Sequence, residues 1–461
     1  MPIPRRLLNG LVAVSGWWLA ATSWGHCQPP GDLLSELQQV QRQGNVPVVM
    51  VGLRLPCPDG STAVFQQTWG ASDAAASRWG SITKTVTALT VLSLVDDGEV
   101  RLDDALFLHV DQKHWHNPWR ERYPIRVVDL LELRTGLTDL SGLEFDHNTP
   151  LNLEQALALN PQHRQVRWPP GWHHSYSNLS LGLSQLLIET RTKLSYQAAA
   201  TQRVLQPLGM QHANFAPRED LVAGFKADGI TPIPYWHMTF PAYGALNARL
   251  SDLMVLLEYL ASEAAPAALF APQGRVFATE FSFDYASGLY PRVRRGQTWY
   301  SHGGDADGYR SRIALLKGTD LGYVVNINTD NPRLLRQLEA VLEGFLVTTR
   351  PKQALALTAP PETETETELA PWVGTYYPAT VRFGHVRWAS GQLERVHIER
   401  HPTRPNALNF RRGQRQVALL PLGNGQFRRP DDPEGTVVFF QAEGKRYFSG
   451  ELGNFVQYKP R

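Results

Sequence analysis

The chain is poor in cysteine and carries no run with metal-ligand spacing. Its 461 residues include two cysteines, Cys27 and Cys57, and neither a Cys-x-x-Cys pair nor a His-Glu-x-x-His run. The close pairs His114/His116 and His173/His174 sit among tryptophans and prolines, without ligand spacing. No metal and no other cofactor is expected. Charge of one sign is missing too: 45 Lys and Arg against 43 Asp and Glu leave a net charge of +2. That balance implies neither nucleic acid nor an anionic membrane surface as a partner. Lysine itself is scarce, at positions 84, 113, 193, 226, 317, 352, 445 and 459, so arginine carries most of the positive charge.

What is present is a long, ordinary globular composition with room for two domains, or for one large domain and an appendage. Thirteen tryptophans suit aromatic-lined clefts as well as plain core packing. The first 25 residues read as a signal peptide. Met1 to Arg6 is a short basic start, Leu7 to Ala21 is apolar apart from Asn9, Ser15 and the glycines, and small residues offer cleavage after Ser23 or after Gly25. An uncleaved anchor is the alternative, although the apolar run is short for a span. No later run is long and apolar enough to cross a bilayer. The mature protein is therefore expected outside the cytoplasm, periplasmic or secreted, without a stable membrane span. In an oxidising compartment Cys27 and Cys57 can pair. Lipid on Cys27 is the other option, disfavoured because His26 is not the small residue expected beside such a cysteine.

Periodicity places the main elements. Apolar positions at helical spacing over 31–43, with Gly44 as a stop, predict a helix. Val48 to Leu55 and Thr62 to Trp69 flank the turn Pro56-Cys-Pro-Asp-Gly60 and predict a hairpin. A long apolar run from Val86 to Val95 predicts a helix closed by Asp96-Asp97-Gly98, and Ile125 to Arg134 predicts another, stopped by Thr135-Gly136-Leu137. Further helices are expected through about Thr192, over Leu250–Ser262 and over Pro332–Val347, with strands at Ser311–Leu316 and Leu321–Ile327. Residues 351–369 contain the acidic, repetitive run Glu362-Thr-Glu-Thr-Glu-Thr-Glu368 and read as an extended linker. Short alternating strands from about 370 to 461 predict a small β domain, about twice as rich in Lys and Arg as in Asp and Glu. A solvated basic face is the plain reading of that bias.

Three junctions carry chemistry. Ser81 falls at or near the start of the Val86 helix and Lys84 follows three residues later, so hydroxyl and amine share a face. A partly desolvated lysine can take a serine proton, which arginine cannot. The helix N-terminus favours negative charge developing beside Ser81. Tyr176 and Asn178 close the aromatic, proline-rich loop that begins at Arg167. Being two apart in an extended loop, they point the same way. A tyrosine beside an ammonium can lose its proton below its usual pKa of about 10 and act as a base, and Asn178 can bond the lysine or a substrate amide. His302-Gly303-Gly304 ends a strand, where glycines admit close approach and the N–H of Asp305 can serve as an oxyanion donor. Taken singly, each has a plainer reading: a serine N-cap, an aromatic plug, a hairpin turn.

Together and in this order they are identified with a family. Gly80-Ser-Ile-Thr-Lys-Thr85, Asp96–Asp104, Tyr176-Ser-Asn178, Val204-Leu-Gln-Pro-Leu-Gly-Met210 and His302-Gly-Gly304 resemble the serine β-lactamase and penicillin-binding-protein superfamily. The likeness is to the class C-like branch that also holds esterases and D-aminopeptidases. It spans about residues 31–350, within a hydrolase domain drawn at 26–350. It implies an α+β fold: an antiparallel sheet flanked by helices, with a mostly helical insertion between its first and last strands. It further implies Ser81 as acylated nucleophile and Lys84 as its activator. Tyr176 would be the general base that also protonates the leaving group, with Asn178 on the substrate amide and the N–H groups of Ser81 and Asp305 forming the oxyanion hole. Lys84 and Tyr176 are best treated as one coupled unit.

The third motif departs from the family at His302, where its best-known members have lysine. A histidine is largely neutral near pH 7, which disfavours β-lactam carboxylates and favours esters, amides or D-amino-acid peptides unless Arg310 or Arg312 compensates. The expected function is an exported serine hydrolase acting on a small molecule or peptide, with a non-catalytic penicillin- or peptidoglycan-binding protein as the alternative. The C-terminal part resembles the lipocalin-like appendages of some relatives.

Overall fold

The computed structural model describes residues 29, 31–57, 59–274, 285–295, 297–348, 369–382, 395–423, 425–430, 437–450 and 452–457. The expected signal peptide, Cys27 and nearly all of the expected linker lie outside them. Cys57 is disulfide-bonded, and the only other cysteine in the chain is Cys27.

The first helix, α1 (Gly31–Gln43), leads into the hairpin β1 (Val49–Pro56) and β2 (Thr62–Trp69). A short strand β3 (Ala76–Arg78) precedes the core helix α2 (Thr83–Asp96), and helix α3 (Asn178–Thr192) follows the aromatic loop. Strand β4 (Asn247–Arg249) pairs with β3 and runs into α4 (Leu250–Ala261). The domain closes with β5 (Tyr290–Arg294), β6 (Gln297–Ala306), β7 (Tyr309–Leu315), β8 (Gly322–Ile327) and helix α5 (Pro332–Thr348). One six-stranded antiparallel sheet results, in the order β2-β1-β8-β7-β6-β5. The chain between its first hairpin and its last four strands is mainly helical and covers one face.

Alternation along β1 explains the layering. Val49, Val51 and Leu53 face α1 and α5, joining Leu37, Leu338 and Leu342 in one core. Each such burial stabilises by about 2 kcal/mol. Met50 points the other way into the larger core, as side chains one apart on a strand must. Gly52 shares that second face, where a Cβ would lie 2.2 Å from the sulfur of Met254; the missing side chain admits α4. Helix α2 is buried on every side from Thr83 to Leu94. Its threonines satisfy their hydroxyls on backbone carbonyls: Thr87 Oγ1 donates to Ala242 O at 2.7 Å and Thr90 Oγ1 to Val86 O at 2.8 Å. An all-round buried helix is a rigid axle, and it carries Lys84.

Two expectations need correction. The helix expected over 125–134 is only Val127–Leu131, because Leu133 turns left-handed at φ 55° and the buried Glu132 carboxylate is taken by the N–H groups of Gln273 and Gly274. The glycine pair Gly303-Gly304 does not end a strand. Strand β6 continues through Ala306, and the hairpin turn falls at Asp307-Gly308, with Gly308 at φ 85°.

The C-terminal strands form a closed eight-stranded barrel: β9 (Gly374–Pro378), β10 (Val396–Arg400), β11 (Leu408–Arg412), β12 (Arg415–Gly423), β13 (Gln426–Arg428), β14 (Val437–Ala442), β15 (Lys445–Gly450) and β16 (Phe455–Gln457). Phe410, Phe427, Phe439, Phe448 and Phe455 pack together inside it, with centroids 5.1 Å apart for both Phe427–Phe439 and Phe439–Phe448. Side chains fill this barrel as they fill other small ones. It rests on the aromatic loop: Trp172 meets Tyr447 edge-on at 5.5 Å, and His173 Nδ1 lies 2.9 Å from Ser449 Oγ.

Candidate active site

Ser81 sits in a single 3-10 turn, Gly80–Ile82, that feeds directly into α2. Gly80 has φ 51°, a left-handed conformation that glycine adopts without penalty. A Cβ there would also stand 2.9 Å from the Asp305 nitrogen, so the Asp305 N–H lies against the backbone just before Ser81. The next glycine is tighter still: a Cβ on Gly304 would meet the Trp79 carbonyl oxygen at 1.9 Å. Close approach of two backbones, rather than a turn, is what Gly304 provides, whereas a Cβ on Gly303 would meet the Arg312 guanidinium at 2.7 Å. Gly304→Ala should force these segments apart, lowering stability by about 2–4 kcal/mol and lowering turnover with it. Thermal unfolding beside a rate assay checks this, and an unchanged melting temperature would contradict it.

Lys84 Nζ lies 3.0 Å from Ser81 Oγ and donates to Tyr243 O at 2.8 Å. It stands over the rings of Tyr176 and Tyr243, at 4.8 and 5.5 Å from their centroids. Only 1% of Lys84 is exposed. Burial pulls its pKa well below the ordinary lysine value; Asp139 and Asp305 oppose that fall and Arg382 assists it. The shift favours the uncharged amine, the form that can accept a proton. Tyr176 OH donates to Ser81 Oγ at 2.8 Å. Burial raises its pKa, and the Ser81 hydrogen bond and Arg382 only partly offset this.

This reverses one expectation. The pKa of Tyr176 is raised rather than lowered, because burial outweighs the Ser81 hydrogen bond and the charge of Arg382. The phenol holds its proton and is placed as a donor.

Asn178 is the first residue of α3, and its side chain faces the same cavity as Tyr176. Its backbone N–H donates to Asp139 Oδ1 at 2.6 Å and its Nδ2 to Asp139 Oδ2 at 3.4 Å, while its Oδ1 is buried without a hydrogen-bond partner among the described residues. An unsatisfied buried acceptor is costly, and a substrate N–H would satisfy it. His302 is buried, with Nδ1 2.6 Å from Gly303 O and Nε2 3.2 Å from Tyr285 OH. Desolvation, reinforced by Lys84, Arg312 and Arg292, holds its pKa down to about 3. His302 is neutral in this site, as the sequence suggested.

Of the two arginines expected to compensate, Arg310 pairs with Asp305 at 2.9 Å and Asp330 at 2.8 Å. Arg312 faces the cavity, with its Nε bonded to Glu339. The cavity, about 630 Å³, brings together Ser81, Tyr176, Asn178, His302, Gly303 and Asp305. Arg292, Arg294 and Arg382 also reach it, and Asp146, Trp236 and Tyr243 form another part of its wall. Sequence reasoning missed Tyr243, Asp139 and Arg382. Thr138-Asp139 follows the helix stop without a local motif of its own, and nothing in the run Phe240-Pro-Ala-Tyr243 marks a carbonyl aimed at a lysine.

Ser81, the buried Lys84 amine and the Tyr176 phenol thus meet around one oxygen on this sheet-and-helix frame, the residue types that nucleophilic catalysis uses. Residues 58–344 match the model of the Beta-lactamase family, and the chain belongs to that family. Protein flp of Staphylococcus aureus (strain MW2) is 26% identical over an alignment of 279 positions that covers 56% of this chain and 54% of flp. The chain thus spans about half the length of the curated relatives it matches. The octameric penicillin-binding protein homologue from Pyrococcus abyssi superposes with a TM-score of 0.57 at 18% identity, covering 93% of this chain and 99% of that one. The D-amino acid amidase from Ochrobactrum anthropi SV3 gives 0.57 at 19% identity, covering 69% of this chain and all of its own. These structural likenesses carry the fold.

Proposed function

We propose that this chain is an exported serine hydrolase of the class C-like branch. It acts through an acyl-enzyme on an ester, an amide or a D-amino-acid peptide. The observation that carries the reading is the pair of contacts on Ser81 Oγ, 3.0 Å to a buried Lys84 amine and 2.8 Å to the Tyr176 phenol. Neutral Lys84 accepts the Ser81 proton as Oγ attacks the substrate carbonyl. The N–H groups of Ser81 and Asp305 stabilise the oxyanion. Collapse of the tetrahedral species expels the leaving group, which takes a proton from Tyr176 OH, and the Lys84 ammonium gives its proton to the resulting Tyr176 phenolate. Water then attacks the ester on Ser81 by the same steps in reverse. Asn178 Oδ1 accepts the substrate amide N–H.

The division proposed with this reading is a leader over 1–25, a hydrolase domain over 26–350, a linker over 351–369 and the barrel over 370–461. The end of α5 at Thr348 and the start of the barrel at Gly374 support it. The family membership, and an amidase among the structural neighbours, support the substrate range.

A neutral His302 leaves the carboxylate of a penicillin without the family's lysine charge. Loss of one charge-assisted hydrogen bond predicts kcat/KM for a penicillin about 100-fold below that for a neutral ester such as p-nitrophenyl acetate. Steady-state kinetics on the full chain test this. Equal efficiency with the two substrates would contradict it, and no turnover of esters, amides and D-peptides alike would favour the binding-protein alternative.

A further inference from the structure

We propose that the C-terminal barrel supplies a working part of the active site, and that Arg382 is its positioning residue, holding Asp139 against Asn178 and balancing the charge beside Lys84. The inference rests on the acyl-transfer reading above. Arg382 follows the first barrel strand, in the connection toward β10. It leaves the barrel and enters the cavity that holds Ser81.

Three contacts fix it there. Its Nε donates to Asp139 Oδ2 at 2.8 Å, its guanidinium lies 4.4 Å over the Tyr176 ring, and its carbonyl accepts the Asp139 N–H at 2.7 Å. Asp139 has no exposed side-chain surface, whereas 46% of the Arg382 side chain is open to the cavity or solvent. The carboxylate that Arg382 meets is the one that receives both N–H donors of Asn178, together with the N–H of Leu140 at 2.9 Å. One ion pair therefore joins the barrel to two of the residues assigned to substrate and leaving group. A second grip lies next to it. Asn454 Nδ2 donates to His174 O at 2.6 Å and to Thr380 Oγ1 at 3.1 Å, tying the Arg382 connection to the loop that ends in Tyr176.

The charge argument has a definite sign. The ionised groups acting on Lys84 are Asp139 and Asp305, which favour its ammonium, and Arg382, which disfavours it. The other groups around it are Ser81, the Tyr176 and Tyr243 rings and the Tyr243 carbonyl, with the buried, neutral His302 nearby. In a sheltered site, removing either member of the Arg382–Asp139 pair unmasks the other. Arg382→Met leaves the carboxylate and favours the ammonium, so the acid limb of kcat/KM should move to higher pH. Asp139→Asn leaves the guanidinium, so the limb should move to lower pH. The displacements expected are about one pH unit each. The double variant should return the limb close to its original position, and Arg382→Lys should leave it there.

The experiment is a pH–rate profile on the full chain with an uncharged ester, for wild type and these four variants, beside thermal melts. Opposite shifts with restoration in the double variant are the expected result. Lowered rates at an unmoved limb, in variants that melt like the wild type, would reduce the ion pair to scaffolding and overturn the inference while leaving the acyl-transfer reading intact. If Arg382→Met does not fold, Asp139→Asn and Arg382→Lys still decide: an unmoved limb in the first, or a moved limb in the second, overturns it. A wild type without Ser81-dependent turnover overturns both.

Discussion

Ser81→Ala should lose at least about 10⁴-fold in kcat/KM toward any ester or amide that the wild type turns over, while folding as before. Among the described residues, Ser81 Oγ is the atom that both the Lys84 amine and the Tyr176 phenol reach. Its removal takes away the bond-forming group and leaves a buried base and a buried donor without a task. The backbone is not at risk, because the 3-10 turn is shaped by Gly80 and by the packing of Trp79, whose indole N–H donates to Ala248 O at 2.9 Å. A residual rate within tenfold of wild type, in protein with an unchanged melting temperature, would place the nucleophile elsewhere.

Lys84→Met and Lys84→Arg form the second large prediction. Both should lower kcat/KM by about 10³-fold, Met because its thioether sulfur is not basic and Arg because it does not deprotonate. Their stabilities should diverge. In the unfolded chain Lys84 is protonated up to its ordinary pKa, about 10.4. In the folded chain, burial depresses that pKa. Between the two values the unfolded state binds more protons, so stability rises with pH through this window and is reduced as pH falls toward the folded value. At neutral pH Lys84 thus weakens the fold. Lys84→Met should raise the melting temperature and flatten its pH dependence above neutrality, whereas Lys84→Arg, a permanent charge in an enclosed site, should lower it. Activity retained in Lys84→Arg would show that a fixed cation, not a neutral base, is what the site requires.

How much of this was legible in the chain follows physical lines. Ser81 and Lys84 are three apart at a helix start, and helical geometry alone brings them together. Tyr176 and Asn178 are two apart in an extended segment, and their common direction also follows from spacing. The hairpin, the core helix and the final strands could be placed because their apolar periods are 2.0 and 3.6. The direction of the Tyr176 shift was not legible: spacing says that a phenol is near an amine, but only the depth of the enclosure decides which of them gives up charge. Gly303-Gly304 looked like a strand end because glycine usually marks one, whereas the constraint is a carbonyl from the Trp79 segment pressed against the sheet. Asp139 and Arg382 lie 243 residues apart. No local pattern links them, since it is the docking of the barrel on Trp172 and His173 that carries one to the other. The size of the β domain was visible in its alternating strands and turns; its closure into a barrel depends on β9 pairing with β16, a contact between the two ends of the domain.

The central claim is that Ser81 becomes covalently acylated because Lys84 and Tyr176 converge on it. The direct measurement is the intact mass of the full chain after reaction with a fluorophosphonate, followed by peptide mapping of the adduct, with Ser81→Ala run alongside. The account predicts one phosphonyl group per chain, mapped to Ser81, and none on the variant. Equal labelling of Ser81→Ala, or an adduct mapped to another residue of the wild type, would contradict it.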